Sequence, residues 1–280
     1  MHHATCSVQL RGDSARSVVA ARTDGEASLA LDAITACLTH AEARDDEMPV
    51  AFWSANGMGG GGCEVRTVAA PGWEDIRATQ ASAPRAALDR LMRVELPPGG
   101  RLVLWHGEPG TGKSYALRAL AREWRGWCET YFITDADNFL GGDTSYLLNT
   151  LLRREPGEER WRLLVLEDAG ELLAADARAV AGQALSRLLN LSDGLLGEGL
   201  RAIVLVTTNE PLRRLHPAVV RPGRTWAEVE FSALNVEEAN GWLEARDADA
   251  RVSRDVSLAE LFALAGGRGV ASRSTVGFAT

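Results

Sequence analysis

The sequence predicts an α/β fold in which helices cover both faces of a parallel β-sheet, with a small α+β domain before it and a short helical lid after it. Two observations support this prediction. After residue 100, short runs that are apolar throughout alternate with segments of helical periodicity, as in sheets that are buried on both faces. The residues before position 100 differ in composition from those after it, and they end in a Pro-Pro-Gly-Gly break, which is typical of a domain boundary. We therefore expect three parts: a small N-terminal domain (1–95), the main α/β core (96–232) and the lid with a flexible tail (233–280).

The N-terminal part combines one predicted helix, at residues 27–43, with predicted strands at 49–54 and 64–70. The glycine-rich stretch NGMGGGG, residues 56–62, lies between the two strands. Consecutive glycines suit phosphate binding, but neither a lysine nor a helix start follows here, so we predict a flexible hairpin loop. This part shows no catalytic constellation, and its role stays open.

The main part alternates regularly between strand and helix signals. The predicted strands cover residues 101–106, 128–134, 160–168 and 200–209, and the predicted helices cover 113–124, 145–154 and 177–194. Parallel sheets of this kind bind ligands at the carboxyl ends of their strands. We therefore look for the functional site where these strands end.

Composition narrows the classes of function. The 280 residues are 46% hydrophobic and 24% charged, with a net charge of −8, and no apolar stretch approaches the ~18 residues of a membrane span. The N-terminus lacks an apolar signal-peptide core, and the four cysteines are scattered without metal-binding or redox spacing. We expect a cytoplasmic protein without a membrane span. The acidic balance argues against nucleic acid as its partner.

The segment GEPGTGKS, residues 107–114, matches the phosphate-binding pattern G-x-x-x-x-G-K-[ST] between a predicted strand and a predicted helix. Glycines allow backbone N–H groups to converge on a phosphate, and the helix that follows adds its positive N-terminal end. Lys113 would reach the β- and γ-phosphates, and the Ser114 hydroxyl would bind Mg²⁺. We therefore predict a nucleoside triphosphate site, with Mg²⁺, formed by Gly107, Glu108, Pro109, Gly110, Thr111, Gly112, Lys113, Ser114 and Tyr115.

Two further predicted strands end in polar side chains. LLVLED ends in Glu167 and Asp168, and VLVTTN ends in Asn209. A phosphate site needs an acid that holds the metal and a group that orients water, and these residues could supply both. The alternatives are a strand that simply emerges into acidic residues and an asparagine that serves as a cap or turn residue.

Arg221 and Arg224 flank Pro222 and Gly223 in the segment RPGR. Because proline and glycine fix the turn, the two guanidinium groups would point in defined directions. The alternative is a solvated basic loop.

The segments GEPGTGKS, LLVLED, LSRLLNLSDGLL and TTNEPLRRLHPAVVRPGR resemble, in order and spacing, the AAA-type ATPases of the AAA+ superfamily. The resemblance is strong over residues ~100 to 232, weak in the tail, and absent from the first 95 residues. In its order of domains, the chain resembles bacterial AAA-family ATPases that have small, variable N-terminal domains.

The resemblance implies a role for each matching residue. Lys113 and Ser114 match the phosphate-loop pair, and Asn209 matches the sensor asparagine. The segment containing Arg221 and Arg224 matches the arginine fingers that reach into a neighbouring subunit. The resemblance also implies ATP and Mg²⁺ as ligands and a homo-oligomeric ring, for example a hexamer.

The chain departs from the family pattern at three positions. The family usually has aspartate followed by glutamate at the end of the acidic strand, whereas this chain has Glu167 followed by Asp168. By position, Glu167 would hold Mg²⁺ and Asp168 would orient the attacking water with a side chain one methylene shorter. Gly170 stands where the family often has another acid, and His216 replaces a common aspartate.

Phe139-Leu140-Gly141 falls where the family has the pore loop that grips an extended polypeptide. The alternative is a core phenylalanine at the end of a helix, and the sequence does not decide between the two.

These patterns predict an ATPase that binds Mg²⁺·ATP, hydrolyses it between subunits of a ring and remodels a protein client. One alternative is a slowly hydrolysing, nucleotide-dependent switch or binding module, which the short Asp168 side chain favours. Another is an AAA+ motor that acts on nucleic acid, which the acidic charge disfavours.

Overall fold

A computed structural model describes residues 5–11, 14–37, 46–56, 60–97, 99–142, 144–152, 160–174, 186–190, 200–219 and 224–266. The strands in these ranges are β1 (Thr5–Arg11), β2 (Ser14–Ala20), β3 (Glu47–Asn56), β4 (Gly60–Ala69), β5 (Leu102–Gly107), β6 (Cys128–Ile133), β7 (Trp161–Leu166), β8 (Ala202–Thr208) and β9 (Thr225–Phe231). The helices labelled here are α1 (Asp24–Cys37), α2 (Trp73–Ile76), α3 (Ser82–Met92), α4 (Lys113–Trp124), α5 (Ala136–Gly141), α6 (Thr144–Leu152), α7 (Gly170–Leu173), α8 (Val236–Glu244) and α9 (Leu258–Leu264).

Seven strands form one sheet in the order β4-β3-β6-β7-β8-β5-β9. All neighbouring strands run parallel except β3 and β4, which form an antiparallel hairpin at one edge. The predicted α/β class with a mainly parallel sheet is confirmed. Strand order also brings the carboxyl ends of β7, β8 and β5 side by side, as the location of the polar motifs requires.

The sheet is buried on both faces. Because successive side chains of a strand point in opposite directions, each central strand contributes to two hydrophobic clusters. In β5, Leu102 and Leu104 join the hydrophobic cluster on one face, and Val103 and Trp105 join the cluster on the other. The second cluster includes Trp124 from α4, which is fully buried and stacks on Trp226 with ring centroids 5.7 Å apart. A continuous apolar run in the sequence therefore reflects two cores.

The expected boundary at residue 95 does not separate two folded units. Strand β3 pairs in parallel with β6, so the hairpin of residues 47–69 belongs to the main sheet. The carboxylate of Asp135 reinforces the junction, because it accepts hydrogen bonds from the Ala55 backbone N–H and the Tyr146 hydroxyl, both at 2.9 Å. Among the described strands, β1 and β2 form a second, antiparallel sheet of two strands.

Several predicted segments shift or fall partly outside the described residues. The helix predicted at 27–43 is α1, and residues 38–45 lie outside the described part. Of the helix predicted at 177–194, the structure describes 186–190, which are helical. The lid region contributes α8 and α9, both of which begin with a capping box, whereas the tail from residue 267 lies outside the described part. Among the described helices, none has the length and apolar character that crossing a bilayer requires.

The glycine stretch predicted as a hairpin loop is partly strand. Gly60, Gly61 and Gly62 lie in β4, and residues 57–59 lie outside the described part. A Cβ atom at Gly61 would lie 2.6 Å from Cδ2 of Tyr146, whereas one at Gly62 would meet nothing closer than 3.9 Å. The Tyr146 ring is buried and hydrogen-bonded, so it cannot move away easily. The glycine at position 61 therefore permits α6 to pack against the hairpin.

We predict that Gly61→Ala destabilises the fold by about 1–3 kcal/mol, because the added methyl group overpacks against the Tyr146 ring. Gly62→Ala is the matched control and should change the free energy of unfolding much less. Urea denaturation of both variants tests this, and equal stability of the two would contradict the close-packing explanation.

Candidate functional site

The phosphate loop of residues 107–114 connects β5 to α4, as the motif predicts. Gly107, Gly110 and Gly112 have φ angles of +135°, +77° and +99°, in the region that L side chains rarely adopt. The constraint is strictest at Gly107, where a Cβ atom would lie 2.0 Å from the backbone oxygen of Phe231. The loop can take this path only because glycines occupy these positions.

Lys113 is half-buried at the start of α4, and its ammonium group donates to the carbonyl oxygens of Gly107 at 2.7 Å and Glu108 at 2.9 Å. Burial lowers the pKa of Lys113, and the nearby carboxylates of Asp168 and Glu167 oppose this shift. The ammonium group is therefore held inside the loop, facing the two acids.

The two acids follow β7 and face the loop from the adjacent part of the sheet. The Ser114 hydroxyl donates to Oε1 of Glu167 at 2.6 Å. A hydroxyl and a carboxylate oxygen at this separation provide the hard donors that Mg²⁺ prefers, and Mg²⁺ usually keeps several waters besides. The Ser114 hydroxyl and the Glu167 carboxylate therefore fit the prediction that they bind Mg²⁺.

Asp168 has a φ of +53°, which aspartate tolerates better than most residues. Its Oδ1 accepts a hydrogen bond from Nδ2 of Asn209 at 2.9 Å. The sheet thus brings the acid and the asparagine together although they are 41 residues apart in the sequence.

A cavity of about 560 Å³ joins these groups. Its lining includes nine of the predicted site residues, namely Pro109, Gly110, Gly112, Lys113, Ser114, Tyr115, Glu167, Asp168 and Asn209. Three residues of the predicted phosphate loop do not line it: Gly107, Glu108 and Thr111. Thr111 is buried, and its hydroxyl donates to the Glu108 carbonyl oxygen at 2.7 Å, so it shapes the loop from behind.

Sequence reasoning missed five lining residues: Arg118, Thr207, Leu258, Ala259 and Phe262. Arg118 lies one helical turn after Ser114 and Tyr115, a spacing that could have identified it. The residues from α9 carried no motif, and only the fold places them there.

The helix α9 closes one side of the cavity. The Ala259 backbone N–H donates to the Gly110 carbonyl oxygen at 3.0 Å, and the Phe262 ring meets the Tyr115 ring edge-on with centroids 6.2 Å apart. The apolar wall that results lies opposite the acids.

Arg224 is not part of this cavity. Arg221 lies outside the described residues. Arg224 precedes β9, and its carbonyl oxygen accepts from the Leu102 backbone N–H at the amino end of β5. Gly107 pairs with Phe231 at the opposite end of these strands, five residues further, or about 16 Å at ~3.3 Å per residue. Arg224 therefore cannot reach the phosphate loop of its own chain without a rearrangement.

Two of the three departures from the family pattern have local explanations. A Cβ atom at Gly170 would lie 2.2 Å from the Thr208 hydroxyl oxygen, so there is no space for an acidic side chain. Nδ1 of His216 accepts a hydrogen bond from the Ala218 backbone N–H at 3.2 Å. An aspartate side chain often accepts a hydrogen bond from the backbone N–H two residues further along the chain. In this protein the His216 imidazole makes that contact in place of a carboxylate.

Phe139 and Leu140 do not form an exposed loop. They lie in α5 with 0% and 1% of their surface exposed, and the Phe139 ring packs edge-on against Tyr146. Of the two interpretations left open by the sequence, the structure supports the core phenylalanine.

Comparison with known proteins gives two family matches. Residues 103–233 match the model of the ATPase family associated with various cellular activities (AAA), and residues 4–93 match a domain of unknown function, DUF5925. The chain is 30% identical to Protein SAV of Sulfolobus acidocaldarius over 59% of its length, and 30% identical to the cell division cycle protein 48 homolog of Archaeoglobus fulgidus over 61%. These matches span 21% and 23% of the relatives, so the chain covers about a fifth of their length.

Two further similarities are more limited. The probable mitochondrial chaperone bcs1 of Schizosaccharomyces pombe is 36% identical over 45% of this chain and 27% of its own length. A chain in the E. coli MS115-1 HORMA:CdnC:Trip13 complex aligns with 64% of this chain and 72% of that chain, at 18% identity and a TM-score of 0.47. The latter is too distant to support an argument about function.

We predict that His216→Ala lowers the free energy of unfolding by about 1 kcal/mol, because the Ala218 N–H loses its acceptor. His216→Asp should restore most of this loss, since a carboxylate oxygen can accept the same bond. Chemical denaturation of the two variants tests this. If the alanine variant is as stable as the wild type, the imidazole does not act as the substitute acceptor.

Proposed function

Residues 103–233 belong to the AAA family, and from this premise we propose that the chain binds Mg²⁺·ATP and hydrolyses it. One observation carries the proposal. Lys113, Ser114, Glu167, Asp168 and Asn209 line a single cavity at the carboxyl ends of three neighbouring strands, β5, β7 and β8. A phosphate-binding lysine, oxygen ligands for Mg²⁺ and a carboxylate beside an amide are the groups that phosphoryl transfer to water requires.

Each group has a separate role in this proposal. Lys113 contacts the β- and γ-phosphates, and the loop N–H groups hold the phosphates with it. Ser114 and Glu167 hold Mg²⁺, which neutralises charge on the phosphate oxygens. Asp168 orients the attacking water and accepts its proton, and Asn209 holds the Asp168 carboxylate in place.

We propose that the arginines act on a neighbouring subunit of a homo-oligomeric ring. The position of Arg224 at the far end of β9 supports action in trans, because its own phosphate loop is out of reach. An arginine supplied in trans typically contributes ~10³–10⁵ in rate to phosphoryl transfer. Arg221 is proposed for the same role on the resemblance alone.

The work driven by hydrolysis is proposed to be the remodelling of a protein client. The name of one relative, the probable mitochondrial chaperone bcs1, fits such a role. The buried Phe139 lends no support to a client-gripping loop at that position, so any such contact would use other residues. The net charge of −8 disfavours nucleic acid as the client.

A slowly hydrolysing switch is the second candidate, and one observation favours it. The water-orienting acid is an aspartate, with a side chain shorter than the usual glutamate, and its backbone has a φ of +53°. A turnover rate that stays far below ~1 s⁻¹ with every client tested would favour the switch.

We predict that Asp168→Asn retains ATP binding and loses hydrolysis, because the amide cannot accept the proton of the attacking water. Lys113→Ala serves as the comparison and should lose binding, since a charge on the phosphates disappears. Binding of a fluorescent ATP analogue and release of phosphate separate the two effects. If Asp168→Asn turns over at the wild-type rate while Glu167→Gln binds ATP but does not hydrolyse it, the two acids have the opposite roles.

We predict that Arg221→Ala binds ATP and fails to hydrolyse it, and that mixing it with Lys113→Ala subunits restores part of the activity. A mixed ring can place an intact phosphate loop beside an intact arginine of the next subunit. Phosphate release is measured as the ratio of the two variants is varied at constant total protein. Normal hydrolysis by Arg221→Ala alone would exclude the proposed role in trans for that residue.

A further inference from the structure

The left-handed backbone at Asp168 is held by one residue of the neighbouring strand. The Asp168 backbone N–H donates to the hydroxyl oxygen of Thr207 at 3.0 Å, and the next backbone N–H, of Ala169, donates to the Thr207 carbonyl oxygen at 3.0 Å. The regular pairing of β7 with β8 ends just before, at Leu166 and Val206. Where the backbone hydrogen bonds between β7 and β8 end, the Thr207 hydroxyl thus serves as the acceptor for the Asp168 N–H in place of a backbone carbonyl.

This hydroxyl is buried and lies at the cavity. Thr207 is 4% exposed and is part of the cavity lining, whereas Asp168 and Asn209 are exposed towards the cavity. The left-handed conformation is unfavourable for L-residues, and although aspartate tolerates it better than most, contacts with neighbouring groups fix it in place. The Thr207 hydroxyl is the group in contact with the Asp168 N–H that does so.

The side chain of Asp168 makes the backbone position decisive. Aspartate has only two side-chain torsions, so its carboxylate follows any movement of its backbone more closely than a glutamate carboxylate would. Asn209 fixes one carboxylate oxygen from the end of the same strand β8. Thr207 therefore holds the backbone of Asp168, and Asn209 holds its carboxylate. A movement of the backbone would displace the carboxylate from the position that the Asn209 amide fixes.

We propose that Thr207 is a positioning residue for hydrolysis, whose hydroxyl holds the Asp168 backbone so that the carboxylate meets the attacking water. This inference rests on the proposed ATPase function and adds a residue to it. Thr207 contacts neither the phosphates nor the metal ligands in this role; it acts through Asp168 alone. Because a misplacement of ~1 Å can cost ~10²-fold in rate, losing the hydroxyl should slow hydrolysis without weakening ATP binding.

The test compares Thr207→Val, Thr207→Ala and Thr207→Ser in the full chain. Valine has the shape of threonine without the hydroxyl, and serine keeps the hydroxyl. We expect kcat to fall by about 10- to 100-fold in the valine and alanine variants and by less than about threefold in the serine variant. The affinity for a slowly hydrolysed ATP analogue should change by less than about twofold in all three, which a general loss of structure would not produce.

Thr130→Val is a matched control in the same sheet. Thr130 lies in β6, is 6% exposed, and its hydroxyl oxygen has no hydrogen-bond partner within the described part of the chain. The same substitution there should leave kcat unchanged. Amide hydrogen exchange at residue 168 gives a direct readout, since protection should fall in Thr207→Val and not in Thr130→Val.

The outcomes separate the inference from the function on which it rests. If the wild type hydrolyses ATP and Thr207→Val does so with the same kcat, the positioning role is wrong while the ATPase function stands. If Thr207→Ser loses as much activity as Thr207→Ala, the hydroxyl is not the determinant, and this comparison holds even if the valine variant does not fold. A wild type that binds but never hydrolyses ATP contradicts the proposed function and the role of Thr207 together.

Discussion

The close approach of β5 and β9 at Gly107 is the constraint on which the site depends. The Phe231 backbone oxygen occupies the space that any side chain at position 107 would need. Two residues before it, Trp105 packs on the Phe231 ring with centroids 5.1 Å apart, so the core fixes the strands just before the loop leaves them. The phosphate loop therefore begins from a rigid edge, and its later glycines only have to complete the turn.

The same end of β9 also fixes the position of the lid. Leu234 is fully buried and bridges to Val256, which places α9 against the phosphate loop through the Ala259–Gly110 hydrogen bond. The lid core adds Trp242 and Leu261 to this anchor. Helix α9 contacts the loop region through backbone as well as side-chain groups, so a change in the conformation of the loop would reach α9 directly.

The sequence predicts the parts of this molecule that depend on local pattern. Buried strands are apolar throughout, and the loop from Gly107 to Ser114 matches a motif whose four fixed positions suit phosphate binding. The pairing of β3 with β6 could not be predicted, because an alternating strand does not specify its neighbour in the sheet. The burial of Phe139 and the space closed at Gly170 depend on residues far away in the sequence, such as Tyr146 and Thr208, and no local pattern reports such contacts.

The sheet also changes how the N-terminal part is understood. The match to the domain of unknown function ends at residue 93, and the match to the AAA family begins at residue 103. Nevertheless, β3 and β4 belong to the same sheet as β5 to β9. Arg118 and Arg122 of α4 bind the carbonyl oxygens of Ala69 and Ala70, where the hairpin ends. Since Arg118 also lines the cavity, the N-terminal hairpin and the cavity share one helix.

Lys113 is the single lysine in the 280-residue sequence, and it lines the cavity. Burial lowers the pKa of this group. Every internal amine reaction of this sequence, whether acylation by a reagent or acetylation by an enzyme, is therefore a reaction of the phosphate loop itself. The other permanently cationic side chains of the sequence are arginines, which such chemistry leaves untouched. Covalent modification of lysine in this sequence is thus inseparable from the cavity that Lys113 lines.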